Sequence, residues 1–129
     1  MYSERAAEHF RQPRNVGDLP GGTHVGEARH ERTGARVRLT LRVEGDRVVQ
    51  ARFRALGCSG TIAACSVTTE LVTGRTVEEA ARLTPAAVEA ALDGLPEDRA
   101  HCAPLVVEAL GRALGRASGA GVTSPDERA

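Results

Sequence analysis

The sequence predicts an α+β fold, a three-stranded antiparallel sheet packed against helices. Three observations carry this. Residues 35–43, ARVRLTLRV, alternate with period two: Val37, Leu39, Leu41 and Val43 fall on one side, Arg36, Arg38, Thr40 and Arg42 on the other. A second alternating run, RVVQARFRAL, follows the turn EGD, so the two runs form a hairpin. After Gly57 the period becomes helical and remains so, which puts strands first and helices second along the chain.

In chain order, SERAAEHFRQ reads as a short helix capped by Ser3, with Ala6, Ala7 and Phe10 as its apolar contacts. QPRNVGDLPGG is loop, because its prolines and glycines break regular structure. THVGEARHE is a weakly patterned edge strand and completes the sheet. GTIAACSVTTELVTG follows the hairpin as a helix with Ile62, Cys65, Thr69 and Val72 near one face and Gly74 at its end. Thr76 and Glu79 form a capping box for TVEEAARL, and Thr84-Pro85 opens PAAVEAAL. DGLPEDRAHC connects to a last helix, APLVVEALGRALGRA. The domain is bounded at 1–117, and SGAGVTSPDERA gives a disordered tail over 118–129.

Composition restricts the chemistry. A chain of 129 residues suits one domain with its own core. A formal net charge of zero argues against bulk electrostatic binding to nucleic acid. No apolar run approaches the roughly 20 residues of a membrane span. MYSERAAEHF lacks the apolar core of a secretory signal, so a cytoplasmic location is expected. Three cysteines, an odd number, do not make a disulfide framework there; such thiols serve metal or sulfur chemistry or fill the core.

Two short segments hold the candidate chemistry. In ALGCSGTIAACS, Cys58 stands at a strand-to-helix junction between Gly57 and Gly60. Exposed N–H groups and the dipole at a helix start favour thiolate, and the glycines leave room for a bulky group to approach. That suits a metal-ligating or sulfur-accepting cysteine; a small buried hydrophobe is the other reading. In RAHCAP, Cys102 stands just before the final helix beside His101, a pairing that supplies metal ligands or a tuned thiol. Cys65, two helical turns beyond Cys58, reads as core. Arg36, Arg38, Arg42, Arg52 and Arg54 share the outer face of the hairpin, with Glu27 and Glu31 near enough to pair with some of them. That face is either a solvated, salt-bridged surface or a dock for an acidic partner.

Three motifs in this order resemble the U-type iron–sulfur cluster assembly scaffolds, the IscU family and the N-terminal domain of NifU. YSERAAEHFRQPRNVGDL is similar to the family's opening, ARFRALGCSGTIAACSVTTELVTGRTVEEA to its central segment, and LDGLPEDRAHCAPLVVEAL to its third. The resemblance runs from about Tyr2 to Leu114 and implies an IscU/SufE-like fold. It implies a scaffold or carrier without enzymatic turnover, with a [2Fe–2S] cluster or iron held by Cys58, His101 and Cys102. It also implies sulfur arriving as persulfide from a cysteine desulfurase, Cys102 as the persulfide acceptor, and cluster-acceptor proteins as partners. The chain departs from the family where a Cys-Gly-Asp motif is expected: Thr33 and Ala35 stand at the cysteine and aspartate. That leaves three of the family's ligands. His30, Glu31, Cys65 or an exogenous group would have to supply a fourth, His30 first among them, and zinc in the same residues becomes an alternative to iron. LPEDR replaces Leu-Pro-Pro-Val-Lys, and its acidic centre argues against recognition by the specialised Hsp70 chaperone.

Overall fold

A computed structural model describes residues 1–115. The expected boundary at 117 and the tail 118–129 lie outside the described residues. The sheet is a meander of β1 (His24–Arg29), β2 (Arg36–Glu44) and β3 (Arg47–Leu56), in that order and antiparallel throughout. The hairpin pairs Leu39 with Phe53 and Leu41 with Ala51, and a register shift at Arg42/Val43 precedes the turn. Period-two patterning therefore does as expected: Val37, Leu39, Leu41, Ala51 and Phe53 are buried on one face.

Helices cover only that face. α1 (Glu4–Arg11), α2 (Ser59–Val72), α3 (Val77–Ala81), α4 (Pro85–Ala91) and α5 (Cys102–Ala113) surround the core. α5 lies on β1 and β2, α2 lies on β3, and α1 packs on α2. Gly26 on β1 permits the closest of these approaches, since a Cβ there would sit 2.1 Å from the Ala109 carbonyl oxygen of α5. Ser3, Thr76 with Glu79, and Thr84 cap their helices as the sequence predicts.

Three details differ from the sequence expectation. α2 is not one-sided: Thr61, Ala63, Ala64, Cys65, Ser66, Val67, Thr68, Thr69 and Val72 are all buried, whereas Ile62 is only partly so. Its small side chains let α1, β3, α4 and α5 close around it, so burial follows neighbours and not hydrophobicity. On α1 the buried residues are Ala6 and His9, and Phe10 is 41% exposed. α5 begins at Cys102 itself and ends at Ala113, with Gly115 in the left-handed region at φ 78°.

The opening motif is a strap. The Ser3 hydroxyl donates to the Leu92 carbonyl and tethers α1 to the end of α4. The Ser66 hydroxyl accepts from the Arg14 backbone N–H (2.9 Å) and pairs with His9 Nδ1 (2.7 Å), a nitrogen that the Arg14 guanidinium also faces as donor (3.4 Å) and that therefore accepts. Asn15, at φ 62°, donates to the Thr69 hydroxyl, and Val16 makes a parallel bridge to Phe53. The segment from Pro13 to Gly17 is thereby fixed across α2 and β3, which supply the partners of its backbone at Arg14, Asn15 and Gly17, while the Arg14 guanidinium turns back to Glu8 on α1.

Candidate metal centre

Two junctions between loop and helix build the site. β3 ends at Leu56, the chain bends at Gly57, and Cys58 takes the N-cap position of α2 in an extended conformation. His101 is the N-cap of α5 and Cys102 its first residue. The sulfurs of Cys58 and Cys102, 44 residues apart along the chain, are 3.8 Å apart. His101 Nε2 is 3.7 Å from the Cys102 sulfur, and the ligand atoms of all three residues lie within 4.8 Å of one another. A tetrahedral ion with metal–sulfur bonds of about 2.3 Å holds its sulfurs about 3.8 Å apart, the spacing seen here.

Thr61 belongs to the site, and sequence reasoning missed it. Its fully buried hydroxyl lies 3.6 Å from the Cys58 sulfur and 3.5 Å from that of Cys102. The signal was available: Thr61 is the third residue after the Cys58 N-cap, where side chains reach back over the first turn. The room left by the glycines is filled from within the protein. A Cβ on Gly60 would stand 3.0 Å from the Cys102 sulfur and 3.4 Å from the Tyr2 hydroxyl; one on Gly57 would stand 2.9 Å from the Thr61 hydroxyl. Arg99, in the 3-10 turn Glu97–Arg99, donates from Nε to that Tyr2 hydroxyl at 3.0 Å and forms the wall over Gly60.

The two thiols differ. Burial pushes the Cys58 thiol up, but hydrogen bonds from the Thr61 side chain and backbone, from Cys102 and from the Gly60 N–H together bring it below its ordinary value. Cys102 is fully buried, and burial pushes its thiol up to about 11; the hydrogen bond with Thr61 offsets this only in part. Burial, then the neighbouring His30 and Arg99, hold His101 below the usual imidazole range, so it is neutral and able to ligate near neutrality. Cys65 is fully buried and its thiol is pushed far up by burial, as a core cysteine requires.

His30 is brought beside the site but not into it. Its ring rests on that of His101, with centroids 4.6 Å apart and planes 31° apart, while its Nδ1 accepts from the Thr33 backbone N–H. The Thr33 hydroxyl is also directed at His30 Nδ1 (3.0 Å). Ala35 is buried, and its methyl group would touch a Cβ on Gly57. Among the described residues, Cys58, His101 and Cys102 are the one group of three or more potential ligand side chains that converge. No helix among those residues is long and apolar enough to cross a membrane.

The chain is similar to known proteins over most of its length. The profile of the NifU-like N terminal domain matches residues 1–119. The iron-sulfur cluster assembly scaffold protein IscU 1 of Archaeoglobus fulgidus is 38% identical over 114 residues, covering 88% of this chain and 74% of that protein. The bifunctional protein NifU/MnmA of Rubrobacter xylanophilus is 44% identical over 115 residues, which are 88% of this chain but 24% of that one. Among solved structures, a putative scaffold protein for the SUF system from Fervidobacterium islandicum AW-1 superposes with a TM-score of 0.73 at 23% identity, over 88% of this chain and 96% of that one, and shares the fold. With the profile spanning nearly the whole chain and the three-stranded sheet and helices in place, the chain belongs to the NifU-like N-terminal domain family, to which the IscU scaffolds are related.

Proposed function

We propose that this protein is an iron–sulfur cluster assembly scaffold or carrier, and that Cys58, His101 and Cys102 hold its cargo, iron or a [2Fe–2S] cluster. The observation that carries the reading is the convergence of two soft sulfur donors and one imidazole from distant junctions, at the spacing one ion requires. Cys58 is half-buried, at the rim of the protein, so cargo held there stays within reach of an acceptor. The sulfur donor in this reading is a cysteine desulfurase. Cys102 remains the candidate persulfide acceptor; because it is buried, a persulfide reaches it only when the junction around Arg99–Cys102 opens, whereas Cys58 is the accessible thiol in the closed form.

Anaerobic reconstitution with ferrous iron, sulfide and a cysteine desulfurase tests this. Sulfur-to-iron charge-transfer absorption is expected in the wild type and is lost in Cys58→Ala and in Cys102→Ala. Absence of those bands in the wild type refutes the scaffold reading.

One observation favours a second reading. Three ligands converge, and a fourth position is left to solvent or a partner; Thr33 and Ala35 add neither thiolate nor carboxylate. Zinc accepts such a set with an exogenous fourth ligand, which would make the protein a regulatory or structural interaction module. One tightly held zinc per chain with no cluster formed identifies that case.

A further inference from the structure

The helices all lie on one side of the sheet, and the other side carries charge of a single dominant sign. Through the strand register, Arg29, Arg36 and Leu56 form one row across the three strands, Glu27, Arg38 and Arg54 the next, and Val25, Thr40 and Arg52 the third, with Arg42 beyond. Six arginines thus share a face on a chain whose net charge is zero. Glu27 is the one carboxylate in those three rows; it holds Arg38 at 3.1 Å, and Asp18 reaches Arg54 at 2.8 Å from the loop. Arg29 and Arg36 face each other across the pairing and make no ion pair among the described residues. Like charges directly opposite on a sheet cost stability, so the arrangement is unfavourable for folding alone.

Shape and apolar surface accompany the charge. Arg29, Arg36, Arg38, Arg54 and Arg112 line a depression of about 510 Å³ along the strands at Ala28, Val37 and Ala55, whose side chains alternate to the inner face. Leu56 is 67% exposed at its rim and Val25 is 46% exposed two rows away. Arginines around exposed aliphatic side chains are the composition of a protein interface. We propose that this outer sheet face is a docking surface for an acidic protein partner, which inserts carboxylates among Arg29, Arg36 and Arg54 and covers Leu56 and Val25. A second copy of the same face would bring arginine against arginine. A nucleic-acid strand would find no aromatic platform for its bases, because the sheet's one aromatic, Phe53, is buried on the inner side. Leu56 and Arg29 immediately precede the segments of Cys58 and His30, so a partner seated here has its edge beside the thiol site.

The surface is testable without metal or cluster, so its failure is separate from failure of the scaffold reading. The probe is a dodecapeptide of four Glu-Glu-Leu repeats, titrated into the isotopically labelled protein at low and at physiological salt. Amide shifts confined to β1, β2 and β3 are expected, with binding that weakens as salt is raised. Arg36→Glu with Arg54→Glu is expected to weaken binding about tenfold or more. Arg75→Glu with Arg82→Glu, which changes the net charge equally but lies outside the sheet, is expected to leave binding within about twofold. Shifts centred elsewhere, equal loss in both double variants, or tighter binding of a single-stranded oligonucleotide than of the peptide would each overturn the proposal; the wild-type shift map decides even if a variant fails to fold.

Discussion

At the scale of single residues, the site is governed by who donates to the two sulfurs. Thr61 touches both, and its hydroxyl and backbone N–H are among the groups that bring the Cys58 thiol below its ordinary value. Thr61→Val keeps the volume and removes the hydroxyl. Alkylation of Cys58 by iodoacetamide at neutral pH is then expected to slow by about three- to tenfold, since a hydrogen bond to a charged group is worth about 1 kcal/mol or more. An unchanged rate would assign the activation of Cys58 to the backbone donors alone. Cys102 cannot share this role in the closed form, because burial keeps it protonated.

At the scale of elements, α1 is held to α2 by a histidine that has no part in the site. His9 is 4% exposed, accepts from Ser66 at Nδ1, and points Nε2 toward Glu70 at 3.6 Å. Burial, then Arg14, holds its pKa below 6.5, with Glu70 and Glu8 opposing. The unfolded chain therefore takes up the proton first as pH falls. The contribution of His9 to stability is present above about pH 6.5 and is lost as pH drops from there toward the folded-state value, below which His9 adds no further slope. Urea unfolding between pH 7.5 and 5 is expected to show this decline, and His9→Asn, which preserves an acceptor toward Ser66, is expected to flatten it. A decline of equal slope in the variant would place the titration elsewhere. The same strap explains why α1 turns His9 inward and Phe10 outward: hydrogen-bond partners on α2 decide the rotation, not apolarity.

At the scale of the whole molecule, the site ties the β3–α2 junction to the start of α5, two points far apart in sequence and adjacent only in the fold. An ion bound there holds the native state and not the unfolded chain. Zinc at a free concentration about a hundredfold above its Kd should therefore add about 2.7 kcal/mol to the unfolding free energy, and Cys58→Ala should abolish the gain. Because Cys102 enters as a thiol with a pKa of about 11, binding must expel its proton, and affinity should rise about tenfold per pH unit near neutrality from that proton alone. Calorimetry in buffers of different ionisation enthalpy counts the protons. Zinc binding without stabilisation would mean that the metal sits elsewhere.

The sequence alone determined the local features. Alternation set the two long strands and their inward residues, caps set where α1, α3 and α4 begin, and Cys58, His101 and Cys102 were marked by residue type at helix starts. Local chemistry suffices there because strand period and N-caps depend on neighbours a few residues away. Only the tertiary structure decided which side of each helix is buried, that Thr61 stands between the sulfurs, that His30 rests on His101 outside the converging trio of Cys58, His101 and Cys102, and that Arg29 joins the five arginines of the hairpin on the face opposite the helices. Those outcomes depend on contacts between segments far apart along the chain. α2 is the clearest case: its threonines, serine and alanines carry no strong periodic signal, and they are buried because α1, β3, α4 and α5 close around them.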